Sequence, residues 1–216
     1  RSRLHISTLA SPRSAACSSR SSLRRTPSAR AASTSRPNVS SPATHCRSAS
    51  SPSPIIRLSA IQSEYSLWTR EPEPEILPLC RELGIGFVPW SPLGAGYLTG
   101  TIDAKTEISA TAFRASSPRF TAAAREANSG LLALLSRIAA AKAATAAQVA
   151  LAWLLAQQPF IVPIPGTRRL ERVRENVGAA RVVLTDADLA EIEAEAGSIA
   201  VQGARLPAAV LQYSYR

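Results

Sequence analysis

The chain has 216 residues, with 25 lysines and arginines against 15 aspartates and glutamates, a net charge of +10. Nine of the arginines and none of the acidic residues fall in residues 1–54, so the other 162 positions carry 16 basic and 15 acidic groups, a net of +1. This excludes a nucleic-acid binder whose charge is spread over the whole chain, and no run approaches the roughly 18 apolar residues of a membrane span.

Residues 1–54 hold 17 serines and six prolines, but no lysine, glycine, phenylalanine, tyrosine or tryptophan. Their five large apolar side chains, Leu4, Ile6, Leu9, Leu23 and Val39, follow neither a helical nor a strand period. Too little apolar surface is present to offset the entropy of ordering this stretch, so disorder is expected. Three origins fit the composition: an organellar transit peptide, a tail binding nucleic acid or acidic surfaces without specificity, or out-of-frame reading of GC-rich DNA. No methionine occurs anywhere, position 1 included, which leads to the expectation that the chain is not a complete primary translation product. Both histidines, His5 and His45, lie in this segment, so the rest of the chain has no imidazole for acid–base work. Cys17, Cys46 and Cys80 lack CxxC spacing and point to neither a zinc site nor a disulfide framework.

The character changes near Ile55. Residues 55–67 (IIRLSAIQSEYSL) read as a strand ending in the polar Gln62, Ser63 and Glu64. Residues 75–83 (EILPLCREL) read as a short helix, with Glu71, Glu73 and Glu75 near its positive end and Gly84 suited to its C-terminus. Cys80 sits among apolar neighbours as a buried, inert thiol. Residues 84–96 (GIGFVPWSPLGAG) read as an apolar strand running into a Pro/Gly loop. After an irregular stretch, residues 97–124, a helix over 125–142 presents Leu131, Leu134, Leu135 and Ile138 at helical spacing. Thr145 and Gln148 form a capping-box pair opening a second helix, with Val149, Trp153 and Ala156 on one face. Residues 159–167 (PFIVPIPGT) read as a buried strand entering a charged helix, RRLERVRENV. Thr185 and Asp188 open a last amphipathic helix whose Glu191, Glu193 and Glu195 read as a solvated face.

Strands that are apolar throughout and alternate with helices imply a parallel sheet covered by helices, with sites at the carboxyl ends of the strands. Three ends result: residues 62–64, 90–96 and 165–168. At the third, Gly166 gives the backbone room, the helix start offers free N–H groups, and Arg168, Arg169 and Arg172 add charge, a pattern suited to an anion. The alternative is a solvated helix laced by Arg168–Glu171, Glu171–Arg174 and Arg172–Glu175 pairs. Trp90 and Ser91 offer a planar ring and a hydroxyl, or else core packing; Gln62 is either an amide-binding group or a capped strand end. Glu64 and Tyr65 stand together, but no second titratable group converges on them.

The stretches QSEYSL, VPWSPLGAGYLTG, FRASSPRF, TAAQVALAWLLAQ, IVPIPGTRRLERVRENV and LTDADLAEIE, in that order, resemble the aldo-keto reductases over residues 55–216. The resemblance implies an α/β fold, the C-terminal part of a (β/α)8 TIM barrel with about strands six to eight, and a cytoplasmic oxidoreductase that reduces small aldehydes or ketones with NADPH. An organellar location is the alternative if residues 1–54 are a transit peptide. By resemblance, Gln62 would contact the nicotinamide carboxamide and Trp90 would stack on its ring, while Ser91, Leu93, Gly94 and Gly96 would line the pyrophosphate. Gly166, Thr167 and Arg168 would meet the adenosine 2′-phosphate, with Arg172 beside it and Glu175 and Asn176 towards the adenine. Ala95 stands where many relatives carry a basic or polar residue. The family's catalytic Asp, Tyr, Lys and His come from barrel strands two to four, which find no match here, so the chain is expected to be a catalytically incomplete part. A non-catalytic NADPH-binding interaction protein on the same fold is the rival expectation.

Overall fold

The computed structural model describes residues 57–210; the boundary expected at residues 54–55, with everything assigned to residues 1–54, and Tyr213 and Tyr215 lie outside the described residues. Strand β1 (Ala60–Glu64) pairs in parallel with β2 (Gly86–Trp90), Ala60 opposite Gly86 and Glu64 opposite Trp90. The link between them holds α1 (Ile76–Leu83), which ends where Gly84 takes a left-handed φ of 64° and returns its N–H to the last carbonyls. A third extended segment, residues 160–164, lies on the far side of β2. Phe87 N–H donates to Phe160 O (3.0 Å), Val162 N–H to Phe87 O (2.9 Å) and Ile164 N–H to Pro89 O (3.1 Å). Proline has no N–H, so the rung from Pro89 to Val162 is missing and this ladder is thin.

Side chains alternate across these strands, so Ile61, Phe87 and Ile161 share one face and pack into the core. The opposite face carries Ala60, Gln62, Val88, Trp90, Val162 and Ile164 and is open, with Val162 60% and Ile164 46% exposed. The expectation of a buried third strand therefore fails for half of its side chains. Helices cover one side of the sheet among the described residues, and the other side would be the inside of a closed barrel.

The helices are α2 (Ala122–Ala127), α3 (Ser129–Ala141), α4 (Ala146–Gln157), α5 (Leu170–Gly178) and α6 (Asp186–Ser198). Both expected capping boxes form, Thr145 with Gln148 and Thr185 with Asp188. The helix expected over 125–142 is instead two, because Asn128 at the break turns its amide to the C-terminal segment, donating to Gln202 O (3.0 Å) and accepting from Gln202 N–H (2.8 Å). Its start also moves upstream, since the Thr121 hydroxyl caps α2 within the stretch expected to be irregular. Helix α4 is buried nearly all round, Ala147 and Val149 to Leu154 included, whereas Ala156 is exposed; the expected stripe is too narrow at one end and wrong at the other. No single helix among the described residues is long and apolar enough to cross a membrane.

Two acidic groups make contacts beyond those expected. Glu75 stands at the N-cap of α1, near its positive end as expected, while Glu73 accepts from Arg70 Nε (2.7 Å) and Nη2 (2.9 Å) and from the Tyr65 hydroxyl (2.9 Å). The glutamates of α6 are tethers: Glu191 and Glu195 both meet Arg137 of α3 at 2.6 Å, and Glu193 meets Arg70 (2.6 Å) and the Trp153 indole N–H (3.1 Å). Arg70 also lies over the Trp153 ring. These bonds seat α6 while Ile192 fills the core beneath it. Cys80 is buried as expected, and burial pushes its thiol pKa up.

Candidate functional site

A groove of about 830 Å³ opens at the carboxyl ends of β2 and of residues 160–164. Nine of the twelve residues singled out from the sequence line it: Ser91, Leu93, Gly96, Gly166, Thr167, Arg168, Arg172, Glu175 and Asn176. Segments about 70 residues apart in the chain thus meet because their strands are neighbours. The other three lie nearby. Gly94 is buried under the first wall, and Gln62 and Trp90 stand half-buried on the open sheet face, Trp90 directly preceding Ser91.

The first wall is a run of left-handed backbone, with φ of 50° at Ser91, 56° at Gly94, 52° at Ala95 and 95° at Gly96. Non-glycine residues rarely adopt this conformation, and such strain persists only where surroundings enforce it. The enforcing surroundings are visible. A Cβ on Gly94 would come within 2.8 Å of the Trp68 ring, and Trp68 itself is stacked on Tyr97 at 4.3 Å between centroids. Arg114 crosses above the turn, its Nε donating to Ala95 O at 2.7 Å. The buried Arg125 holds the next loop by donating from Nη1 to the carbonyls of Asp103 and Thr106.

The second wall is the start of α5. Gly166 faces open space, and the Thr167 hydroxyl accepts from Arg169 N–H at 3.2 Å. The first helical bond runs from Val173 N–H to Arg169 O (3.1 Å), and no side chain caps the end, so the N–H groups of Leu170, Glu171 and Arg172 lack helical partners. Of the three i,i+3 pairs the solvated-helix alternative needs, only Arg172–Glu175 forms, at 2.6 Å. Among the described residues Arg168 and Arg169 have no carboxylate partner. Burial alone would raise the Glu175 carboxyl, but hydrogen bonds from Arg172 and Thr145 and the Arg172 charge hold it below its usual value. Gln148 fixes this helix to α4, its Nε2 donating to Glu175 O at 3.0 Å while its Oε1 accepts from Thr145 N–H. The arrangement is a groove with four arginines and one glutamate, able to hold an elongated anion.

Neither described tyrosine lines the groove, and the hydroxyl of each is committed elsewhere. The Tyr97 hydroxyl donates to Arg125 O (2.8 Å) and its pKa is pushed up to about 12, mainly by burial. Tyr65 is raised by burial and then by the charge and hydrogen bond of Glu73. Glu64 turns away from Tyr65, pairing with Arg205 at 3.0 Å; burial raises its pKa and the arginine opposes that. Among the described residues no histidine, cysteine or carboxylate cluster forms a metal site.

Sequence reasoning missed Arg114, Thr99, Thr101 and Phe113, all of which line the groove. Arg169, read from the sequence as part of the anion-suited arginine cluster, lines it too. Arg114 lies in the FRASSPRF stretch, but nothing local ties it to Ala95, 19 positions earlier.

Residues 30–196 match the model of the Aldo/keto reductase family. The chain belongs to this family. The match begins upstream of residue 55, the point at which the resemblance was expected to start. Over 135 residues the chain is 44% identical to a protein of Glycine max named "Probable aldo-keto reductase 1", covering 62% of this chain and 39% of that protein. The glycerol dehydrogenase AKR11B4 from Gluconobacter oxydans shares the fold, with a TM-score of 0.58 at 21% identity over 68% of this chain and 45% of that one. A thermostable aldo-keto reductase, Tm1743, solved with the inhibitor epalrestat, gives a TM-score of 0.45 at 26% identity over 63% and 39%. The chain therefore spans 39% to 45% of the length of these relatives. Its three parallel segments with their helices are the corresponding part of an aldo-keto reductase barrel.

Proposed function

We propose that this chain supplies the cofactor-holding side of an NADPH-dependent aldo-keto reductase, an enzyme that reduces a small aldehyde or ketone to the alcohol. The observation that carries the reading is the second wall: an uncapped helix start behind an open Gly166, with Arg168 and Arg169 unpaired, facing the glycine turn across one groove. The fit is chemical as well as spatial. A 2′-phosphate carries nearly two negative charges at neutral pH, and an uncapped helix N-terminus with unpaired guanidiniums is what stabilises such a group. Glu175 and Asn176, one turn further along α5, take the adenine side. Ser91, Leu93, Gly94 and Gly96 form the pyrophosphate side. Gln62 and Trp90 are the residues for the nicotinamide carboxamide and ring. NADPH, when bound, supplies the hydride; the residues of this chain bind and orient it.

We place the general acid for the carbonyl oxygen outside the described residues; neither described tyrosine lines the groove, and both hydroxyls are committed elsewhere. The chain is accordingly read as catalytically incomplete by itself. Titration of the purified 216-residue chain with NADPH and NADH, followed by the nicotinamide fluorescence, tests both clauses. Binding of NADPH in preference to NADH, with the preference lost in Arg168→Ala, is the expected result. Equal affinity for the two would remove the 2′-phosphate assignment, and oxidation of NADPH by an added aldehyde would overturn the incompleteness.

A further inference from the structure

We infer that Arg205 is a positioning residue for the nicotinamide end of the groove: through Glu64, the C-terminal segment at residues 202–205 sets the carboxyl end of β1. This rests on the cofactor reading above and extends it to a part of the chain that does not line the groove. Glu64 is two residues beyond Gln62, hence on the same sheet face, and stands opposite Trp90 in the β1–β2 register. Ala60 and Gln62 on that face are partly exposed, whereas Glu64 is only 8% exposed. The C-terminal segment reaches it there. Arg205 Nη1 donates to Glu64 Oε2 at 3.0 Å, and the Thr69 hydroxyl donates to Oε1 at 3.3 Å. A buried carboxylate keeps one orientation while both of its oxygens have donors, and losing the guanidinium leaves its charge uncompensated.

The segment is itself fixed. Asn128 holds Gln202 by two bonds, the Ser117 hydroxyl donates to Arg205 O at 3.4 Å, and Arg119 Nε donates to Gly203 O at 3.3 Å. Gly203 has a φ of 90°, and a Cβ there would stand 2.8 Å from Arg119 Cα, so backbone meets backbone. Arg119 is buried, donates from Nη1 to the Thr69 hydroxyl at 2.6 Å, and lies 5.2 Å from the centroid of the Trp68 ring, against which Gly94 rests. One segment thus backs Glu64, opposite Trp90, and through Arg119 and Trp68 also the glycine turn.

The purified 216-residue chain is titrated with NADPH, followed by the nicotinamide fluorescence, and with adenosine 2′,5′-bisphosphate, which keeps the 2′-phosphate and lacks the nicotinamide. Arg205→Met is expected to weaken NADPH about tenfold and to change adenosine 2′,5′-bisphosphate by less than about twofold. Glu64→Gln should show the same split, and the double variant should lose no more than either single one, because both cut the same contact. Arg205→Lys, which keeps the charge, should recover part of the NADPH affinity. Circular dichroism checks each variant, and Arg205→Gln carries the same expectation if Arg205→Met does not fold. Unchanged NADPH affinity in Arg205→Met, or an equal loss for both ligands, overturns the assignment while leaving the cofactor reading intact. Failure of the unsubstituted chain to bind either ligand removes both.

Discussion

The two walls of the groove are built on opposite principles. The wall at residues 91–96 is strained backbone locked over a core: four left-handed residues, a glycine pressed against Trp68, and arginines holding the neighbouring loops by their carbonyls. The wall at residues 166–176 is relaxed and exposed, with an open Gly166, an uncapped helix start and arginines that pack against little. The first has its shape fixed before any ligand arrives, and therefore contributes geometry. The second contributes charge at low cost to stability, because an exposed guanidinium loses little hydration by folding. Binding sites need both, and here each is assigned to a different strand end.

The contrast can be broken most sharply at Gly94. Gly94→Ala combines a positive φ with a clash against the Trp68 ring and should cost about 2–5 kcal/mol in urea unfolding. Gly166→Ala, at the matching place in the other wall, meets nothing and should stay within about 0.5 kcal/mol. A smaller effect is expected at Arg125. Arg125→Ala strips the carbonyls of Asp103 and Thr106 of their donor, costing about 1–3 kcal/mol and speeding amide hydrogen exchange across residues 101–107. The double variant Arg168→Ala/Arg169→Ala should move the unfolding midpoint by no more than about 0.5 kcal/mol. Equal losses at the two walls in these experiments would end the distinction.

The smallest effect concerns pH. The Glu175 carboxyl lies below its unfolded value of 4.5 in the folded chain, so the Arg172–Glu175 pair stabilises above that pH and the contribution disappears as pH falls below it. Glu175→Gln should flatten that part of the stability-versus-pH curve, measured by thermal unfolding between neutral and acid pH. Being on the exposed wall, the change is expected to be slight.

What was legible in the sequence follows a similar division. Capping boxes at Thr145 and Thr185, the glycine stop at Gly84 and the α5 arginines are local signals, each contained within five residues, and all are where the spacing puts them. The strand-end logic also brought nine of the twelve candidate residues to one groove. What failed was non-local. Asn128 splits a helix by bonding Gln202, 74 positions away, and Glu193, still half in solvent, also reaches Trp153, 40 positions away. Arg114 and Arg125 serve carbonyls of other loops, which leave no spacing signature because any residue type supplies a carbonyl. The third strand misled for another reason. An apolar run does not say how many of its faces are covered, and half of this one, with Val162 and Ile164, is open.

The prolines of that segment have a consequence for the company the chain keeps. Along residues 160–165 the backbone groups of Val162 and Ile164 turn inward to β2, so Ile161, Pro163 and Pro165 turn outward. Ile161 N–H is already taken by Gln158 O at 3.1 Å, and the two prolines have none. The outer margin thus offers acceptors but not one free donor. A stray strand, including the same segment of a second copy, finds half the rungs absent, and the two copies cannot zip together there.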